Sequence, residues 1–366
     1  MNWYTIENID DIDSPALVIY KERVNENIRL LTTMAEDVGQ LRPHVKTNKI
    51  AEVCRMMMDH GITKFKCATI AEAEMLAMIN APDVLLAYQP IGPKVFRLLE
   101  LAKAYPSTHF SCITDDFRAA NNISDLFSDN DMVLDVYIDL NTGMNRTGIR
   151  PQHALQLFEI IESFAGIRVV GLHAYDGHIR DKDLVKRKEK SDEAFEQVVL
   201  LAKSIEAIGK QSMNIVVGGT PTFPTHTHRQ NVECSPGTFV FWDWGYNNNL
   251  PDEPFIFAAL VIARIISIPD ADTICVDLGH KSVAAENPFP RVNFLNLPGA
   301  EPIGQSEEHL ILRVPDTSLF SAGDVLYGVP VHICPTVALY EKAFVAENKN
   351  ITDEWRVIAR DRKINI

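Results

Sequence analysis

The chain has 366 residues, 46% of them apolar, and a formal charge of −14. That length suggests about two domains, although an α/β barrel can absorb roughly 250 residues alone, and the apolar fraction excludes a disordered or fibrous chain. The acidic balance argues against nucleic acid or an anionic membrane as partner, because no basic patch in the sequence offsets the repulsion.

The amino-terminal Met1-Asn-Trp-Tyr-Thr-Ile lacks the basic start and apolar core of a signal peptide. No apolar run approaches the roughly 20 residues that span a bilayer. The six cysteines are scattered and form no CxxC pair, which fits reduced thiols and a cytoplasmic location.

Residues 3–9 read as a short strand, and Ile12-Asp-Ser-Pro-Ala-Leu-Val-Ile-Tyr20 ends in an apolar one. Residues 21–38 form an amphipathic helix, since Val24, Ile28, Leu31 and Ala35 recur at three and four. Strands are then expected at 41–47, 64–69, 83–89, 108–113, 134–140, 167–174, 213–218 and 232–240. Helical patterns at 50–60, 70–79, 93–104, 116–127, 151–164 and 183–209 separate most of them. Repeated βα units demand right-handed crossovers and a parallel sheet, and eight strands close into a (β/α)8 TIM-type barrel. A doubly wound open sheet is the alternative.

After about residue 245 the rhythm changes. Strand-like segments at 255–268, 272–279, 308–313, 324–333 and 355–360 are joined by turns rich in Pro, Gly and Asn. A barrel over 21–245 and an all-β second domain over 246–366 are therefore expected. The linker is Trp242-Asp-Trp-Gly-Tyr-Asn-Asn-Asn-Leu-Pro251, and residues 1–20 serve the β-domain.

Polar residues follow nearly every barrel strand: Lys46, Thr69, Gln89, Asn141-Thr-Gly-Met-Asn-Arg146, His173-Ala-Tyr-Asp-Gly-His178, Gly218-Gly-Thr220 and Ser235-Pro-Gly-Thr238. In a barrel these share the carboxyl face, where active sites sit. Lys46 is there either a desolvated nucleophile or a surface lysine at a strand end. Gly218-Gly219-Thr220 and Pro236-Gly237-Thr238 are either ordinary turns or loops offering backbone N–H groups and hydroxyls to a phosphate. A lysine with two such loops suggests a phosphorylated aldehyde cofactor, pyridoxal 5′-phosphate.

Arg146 offers a planar guanidinium to a phenolate or carboxylate oxygen, or else makes a rim salt bridge. His173 and His178 flank Tyr175 and Asp176. One can shuttle a proton and the other lie against a ring, or either can be structural. In the strand-like run 329–337, period two puts His332 and Cys334 on one face, able to share a divalent ion, most readily Zn²⁺. A buried core pair is the plainer reading. His226-Thr-His228 competes for the metal.

Taken together, the sequence resembles the fold-type III pyridoxal phosphate enzymes, within them the D-threonine aldolase and D-serine dehydratase branch. Pro43-His-Val-Lys-Thr47, Asn141-Thr-Gly-Met-Asn-Arg-Thr-Gly148, Tyr175-Asp-Gly-His178, Gly218-Gly-Thr-Pro-Thr222, Pro236-Gly-Thr238 and Val331-His-Ile-Cys-Pro-Thr336 carry the likeness. The resemblance implies an alanine-racemase-like barrel followed by a β-domain, with the cofactor on Lys46. By the same likeness Arg146 approaches the phenolic oxygen, His173 or Tyr175 the ring, and Gly219, Thr220, Gly237 and Thr238 the phosphate. His332 and Cys334 hold a divalent metal, with Zn²⁺ favoured over Mn²⁺ or Mg²⁺, and the enzyme is a homodimer. Relatives often carry arginine where Ser235 stands, which leaves the partner of the pyridine nitrogen open.

The activity so implied is a lyase of D-β-hydroxy amino acids, first a D-threonine aldolase giving glycine and acetaldehyde, with His178 as the base that takes the hydroxyl proton. The alternative is a D-serine or D-3-hydroxy amino acid dehydratase, in which Lys46 takes the α-proton and the products are a keto acid and ammonia. A racemase needs a second base on the opposite face. A cofactor carrier protein would lack the β-domain.

Overall fold

A computed structural model describes residues 2–208 and 212–366. The chain divides into two compact units, one of Leu31–Lys46, Cys54–Gly237 and Asp361–Ile366, the other of Met1–Leu30, Thr47–Val53 and Thr238–Arg360.

Among the described residues of the first unit seven parallel strands pair in chain order. They are Lys64–Cys67, Asp83–Leu86, His109–Thr114, Leu134–Asp139, Ile167–Ala174, Asn214–Val217 and Val232–Cys234. The expected eighth is a short stave rather than a laddered strand. Leu41 bridges Cys234 on one edge of the sheet and His44 bridges Lys66 on the other. The Arg42 N–H donates to the Cys234 carbonyl and the Val45 N–H to the Lys66 carbonyl, each at 2.9 Å. Pro43 interrupts the ladder because it has no N–H to donate, yet its carbonyl accepts from the Lys66 N–H at 2.9 Å. Residues 41–45 thus join both edges, and Lys46 follows immediately. Inside, Leu85, Ile113, Tyr137, Val170 and Val216 form an apolar cluster contributed by successive strands.

The connecting helices start where capping chemistry directs. Thr69 accepts from the Glu72 N–H, Asp116 from Arg118 and Ala119, and Asp183 from Val185 and Lys186. Pro93 and Pro151 begin helices Pro93–Ala104 and Pro151–Ile161, where a missing N–H costs nothing. The last residue of the helix expected over 183–209 lies outside the described residues. At the amino ends of the strands runs a collar of alternating charge. Arg42 pairs with Asp83 at 2.6 Å and with Glu233 at 2.5 Å, and Lys64 also pairs with Glu233. His109 and Arg168 both meet Asp135.

Among the described residues the second unit forms a nine-stranded sheet. Ala16–Tyr20 lies antiparallel to Ala259–Asp270 and parallel to Lys342–Glu347. Its apolar core includes Val261, Ile274, Leu310 and Leu326 on one side and Tyr4, Val18, Leu260 and Tyr327 on the other.

Several local expectations fail here. Residues 3–9 are turns leading into a 3-10 helix, Ile9–Asp11, because Asn8 and the two aspartates favour local bonding over a ladder. The strand expected through 333 stops at Pro330, and Ile333–Val337 is a short helix with His332 at its N-cap. Strand Asn350–Arg356 is followed by a 3-10 turn, Ile358–Arg360, where 355–360 reads as strand. Within the expected linker, Asp243 accepts from the Tyr246 N–H and starts helix Trp244–Asn249. Among the described residues no helix is long and apolar enough to cross a membrane.

Candidate active site

Lys46 ends the closing stave, half-buried, with its N–H donating to His44 Nδ1 at 3.3 Å. Its ammonium lies 5.7 Å from the centre of the Tyr175 ring. Lys66 Nζ at 5.6 Å and the Arg146 guanidinium at 5.3 Å attend the same ring. Three basic groups gathered around one ring repel one another when protonated, and the ring's quadrupole offsets only part of that cost.

Two glycines leave room for Tyr175. A Cβ on Gly177 would stand 2.1 Å from its hydroxyl oxygen, and one on Gly219 would stand 2.9 Å from its Cε2. Lys66 is buried on strand Lys64–Cys67, and burial, then the neighbouring Lys46, pushes its ammonium down to about 7. Lys66 stands in no motif, although a lysine between Phe65 and Cys67 on an interior strand is itself a signal.

His173 is buried at the end of Ile167–Ala174. Its Nδ1 meets Asp139 Oδ1 at 2.7 Å and its Nε2 lies 3.4 Å from Lys66 Nζ. The carboxylate accepts the Nδ1 proton, so in the neutral ring Nε2 is left to accept from the Lys66 amine. Burial holds its pKa below the usual histidine value.

Arg146 rides on a loop built by left-handed residues, with Asn145 at φ 53° and Gly148 at φ 96°. Asn141 Oδ1 accepts from the N–H groups of Gly143 and Asn145, and Asp115 accepts from that of Gly148. A small cavity of about 30 Å³ is lined by Asp139, Arg146, His173 and Tyr175.

The glycine loops differ in one respect from the expectation of exposed N–H donors. The Gly219 N–H turns inward to Thr222 Oγ1 at 3.3 Å, and the Gly237 N–H to Thr220 Oγ1 at 3.1 Å. The second bond ties the two loops together through the Thr220 hydroxyl. Beside them the Ser235 hydroxyl is buried and, among the described residues, has no hydrogen-bond partner.

His178 is exposed and lies against Gly143, lining a cavity of about 450 Å³ with Thr142, Lys190 and Glu193. It does not line the cavity that holds Arg146 and His173. Thr69 and Gln89 serve structure, Thr69 as a helix cap and Gln89 by accepting from the Thr114 hydroxyl and the Asp115 N–H.

In the other unit His332 and Cys334 come together by a route other than strand periodicity. His332 is extended and Cys334 lies one residue inside the short helix. Burial opposes charge on His332, but hydrogen bonds with Cys334 and Glu286 raise it to about 9. Glu286 Oε1 lies 2.5 Å from its Nδ1. The thiol lies 3.1 Å from Thr47 Oγ1 and 3.6 Å from Thr238 Oγ1.

Asp243 holds this turn by accepting from the Ile333 N–H, and burial raises its carboxyl to about 6. Among the described residues no group of three or more metal-type side chains assembles. The competing pair does not form. His226 is buried with Asp176 on one ring nitrogen and Arg229 on the other, while His228 is exposed.

Residues 19–243 match the family described as the alanine racemase N-terminal domain, and residues 258–346 match the putative serine dehydratase domain. The chain is 26% identical to the D-threonine aldolase of Arthrobacter sp over 361 residues, which cover 95% of this chain and 93% of that protein. It is 25% identical over 354 residues to the D-threo-3-hydroxyaspartate dehydratase of Delftia sp. (strain HT23), covering 90% and 93%. The crystal structure of D-threonine aldolase from Filomicrobium marinum superposes with a TM-score of 0.87 at 26% identity, covering 96% of each chain. With its curled parallel sheet, its closing stave and the two matched domains, the chain belongs to the alanine racemase N-terminal domain family, in the fold-type III pyridoxal phosphate group that its motifs resemble.

Proposed function

We propose that the chain is a pyridoxal phosphate-dependent lyase of D-β-hydroxy amino acids, and specifically a D-threonine aldolase. The observation that carries this reading is the convergence of Lys46, Lys66 and Arg146 on Tyr175, beside the neutral His173. Such a cluster suits a ligand that brings negative charge and a flat ring. The unpartnered Ser235 hydroxyl and the space left by Gly219 and Gly177 suit the same ligand.

Lys46 is the amine assigned to carry the cofactor, Arg146 the donor to its phenolic oxygen, and His173 and Tyr175 the ring contacts. Thr220 and Thr238 supply hydroxyls for the phosphate, while Gly219 and Gly237 serve chiefly by lacking a Cβ. When bound, the cofactor supplies the electron sink for the bond that breaks at Cα. His332 and Cys334 are assigned a divalent ion, which the imidazole and thiolate donor set fits and which Zn²⁺ suits best; Mn²⁺ or Mg²⁺ are alternatives. Glu286 on Nδ1 would fix the tautomer that leaves Nε2 as donor.

In the aldolase reaction the exposed His178 takes the β-hydroxyl proton and the Cα–Cβ bond breaks to release an aldehyde. One observation favours a second reading. His178 lies outside the cavity lined by Arg146, His173 and Tyr175, whereas the Lys46 amine lies 5.7 Å from the centre of the Tyr175 ring, which favours Lys46 as a base for the α-proton. That course ends in a keto acid and ammonia, as in a dehydratase.

The test is product analysis with D-threonine. Acetaldehyde and glycine are expected. 2-Oxobutanoate and ammonia would select the dehydratase, and a purified protein that stays colourless after cofactor addition would refute both. Activity is expected to fall on chelation and return with Zn²⁺, and the protein is read as a cytoplasmic homodimer, which light scattering of the purified sample checks.

A further inference from the structure

Asp176 has no role in the reaction as read above, yet it is buried at the centre of a directed chain of hydrogen bonds. Its Oδ2 lies 2.8 Å from His226 Nε2 and its Oδ1 accepts from the Thr222 hydroxyl at 2.7 Å. On the far side of the imidazole, Arg229 Nη1 lies 2.6 Å from Nδ1. A guanidinium has no lone pair to offer, so Nδ1 must accept and Nε2 must carry the ring proton. His226 is therefore neutral and donates to Asp176. Arg229 has its own counter-charge in Asp192 at 2.5 Å.

The same logic fixes the other arm. Thr222 has one proton, which goes to the carboxylate, so its oxygen is left to accept from the Gly219 N–H at 3.3 Å. Gly218, at φ 71°, presses against the His226 ring, where a Cβ would stand 2.7 Å from Cδ2. Burial opposes the charge on Asp176, but the bonds from His226 and Thr222 hold its carboxyl below the usual range. Every bond from Arg229 to Gly219 has one allowed direction, and none can reverse without stranding a buried donor.

We propose that half-buried Arg229 and the buried His226, Asp176 and Thr222 form a positioning lock that holds the Gly218–Thr220 loop ready for a phosphate, so that these four residues set affinity for a phosphorylated cofactor. The proposal rests on the pyridoxal phosphate reading. None of the four is a catalytic residue; each acts through the loop.

The experiment compares the binding of pyridoxal phosphate and of pyridoxal, which lacks the phosphate, by absorbance titration of cofactor-free protein. Wild type, Thr222→Val and Thr222→Ser are measured, with thermal unfolding in parallel. Thr222→Val is expected to weaken pyridoxal phosphate by about tenfold or more, the effect of losing a hydrogen bond to a charged group. Pyridoxal binding should stay within about twofold, and Thr222→Ser should restore the phosphate preference.

Equal losses for both ligands, or none for either, would overturn the lock while leaving the cofactor reading intact. Failure of wild type to take up pyridoxal phosphate would overturn the cofactor reading and the lock with it. A measurement on the wild type alone does not depend on any variant folding. Nitrogen NMR of imidazole-labelled protein should show His226 in the Nε2–H tautomer, and the opposite tautomer or a doubly protonated ring would refute the bond directions.

Discussion

Replacing Lys66 by methionine in the cofactor-free protein should make it more stable, which is the reverse of what deleting a hydrogen-bonded core group usually does. Burial, with Lys46 close by, depresses the Lys66 ammonium from 10.5 to about 7. At pH 7 the unfolded chain holds the proton fully and the folded chain holds about half. The wild type therefore forgoes roughly 4 kcal/mol, at about 1.36 kcal/mol per pKa unit. Methionine removes that penalty but loses the bond to His173, worth about 1 kcal/mol.

The net expectation is a gain of roughly 2–3 kcal/mol at pH 7. The sign with pH follows from the depressed value. Between about 7 and 10.5 the unfolded chain binds more protons than the folded one. Wild-type stability therefore rises with pH, and the advantage of methionine shrinks towards zero. Urea denaturation of both proteins at pH 7, 8 and 9 measures it. A variant less stable at every pH, or a gap that does not change with pH, would refute the depressed Lys66 ammonium.

Three further outcomes are expected. Arg42→Met should cost about 3–5 kcal/mol in urea denaturation, because it strands Asp83 and Glu233 after removal of a guanidinium that is 1% exposed; a loss under about 1 kcal/mol would show that Lys64 and His109 suffice. His109, half exposed, is raised to about 9 by hydrogen bonds to Asp135 and Asp83. Its contribution should be fully present below pH 6.5 and lost as pH rises through 9, so the stability deficit of His109→Gln should vanish by about pH 10. Gly148→Ala puts a Cβ at φ 96° and 2.6 Å from the backbone of Leu140 and Asn141. It should cost at least about 2 kcal/mol in calorimetry and loosen the loop that carries Arg146, which weaker cofactor retention would report.

The barrel was legible because its strands are short, apolar and separated by helical periods, and because the polar residues fall at strand ends. The strand-end place of Lys46 follows from that pattern. What escaped is instructive. The strands Val292–Phe294 and Glu301–Gln305 are three and five residues long. The second carries Pro302 and Gly304 at the edge of its sheet, so neither has a period to detect. Lys342–Glu347 reads as Lys-Ala-Phe-Val-Ala-Glu, whose composition suits a helix as well as a strand.

At the candidate site, the residues proposed to meet ligands stand in recognisable motifs, whereas their supports do not. Asp139 lies 34 positions from His173, and Glu286 lies 46 positions from His332. Only folding brings such partners together. His332 and Cys334 stand together for a reason other than the expected strand face, since a helix cap brings imidazole and thiol together.

Strand Ala16–Tyr20 is made early and used late. All five of its residues are buried, and its two sheet neighbours are Ala259–Asp270 and Lys342–Glu347. From position 20 to position 259 the ribosome must add 239 residues before the first neighbour exists. At about 5–20 residues per second that is a wait of roughly 10–50 s. Through that interval an apolar strand has both edges open, the condition that promotes pairing between chains. Synthesis, more than the finished fold, sets this segment's hazard, and slowing translation beyond residue 20 should raise the aggregated fraction of the newly made protein.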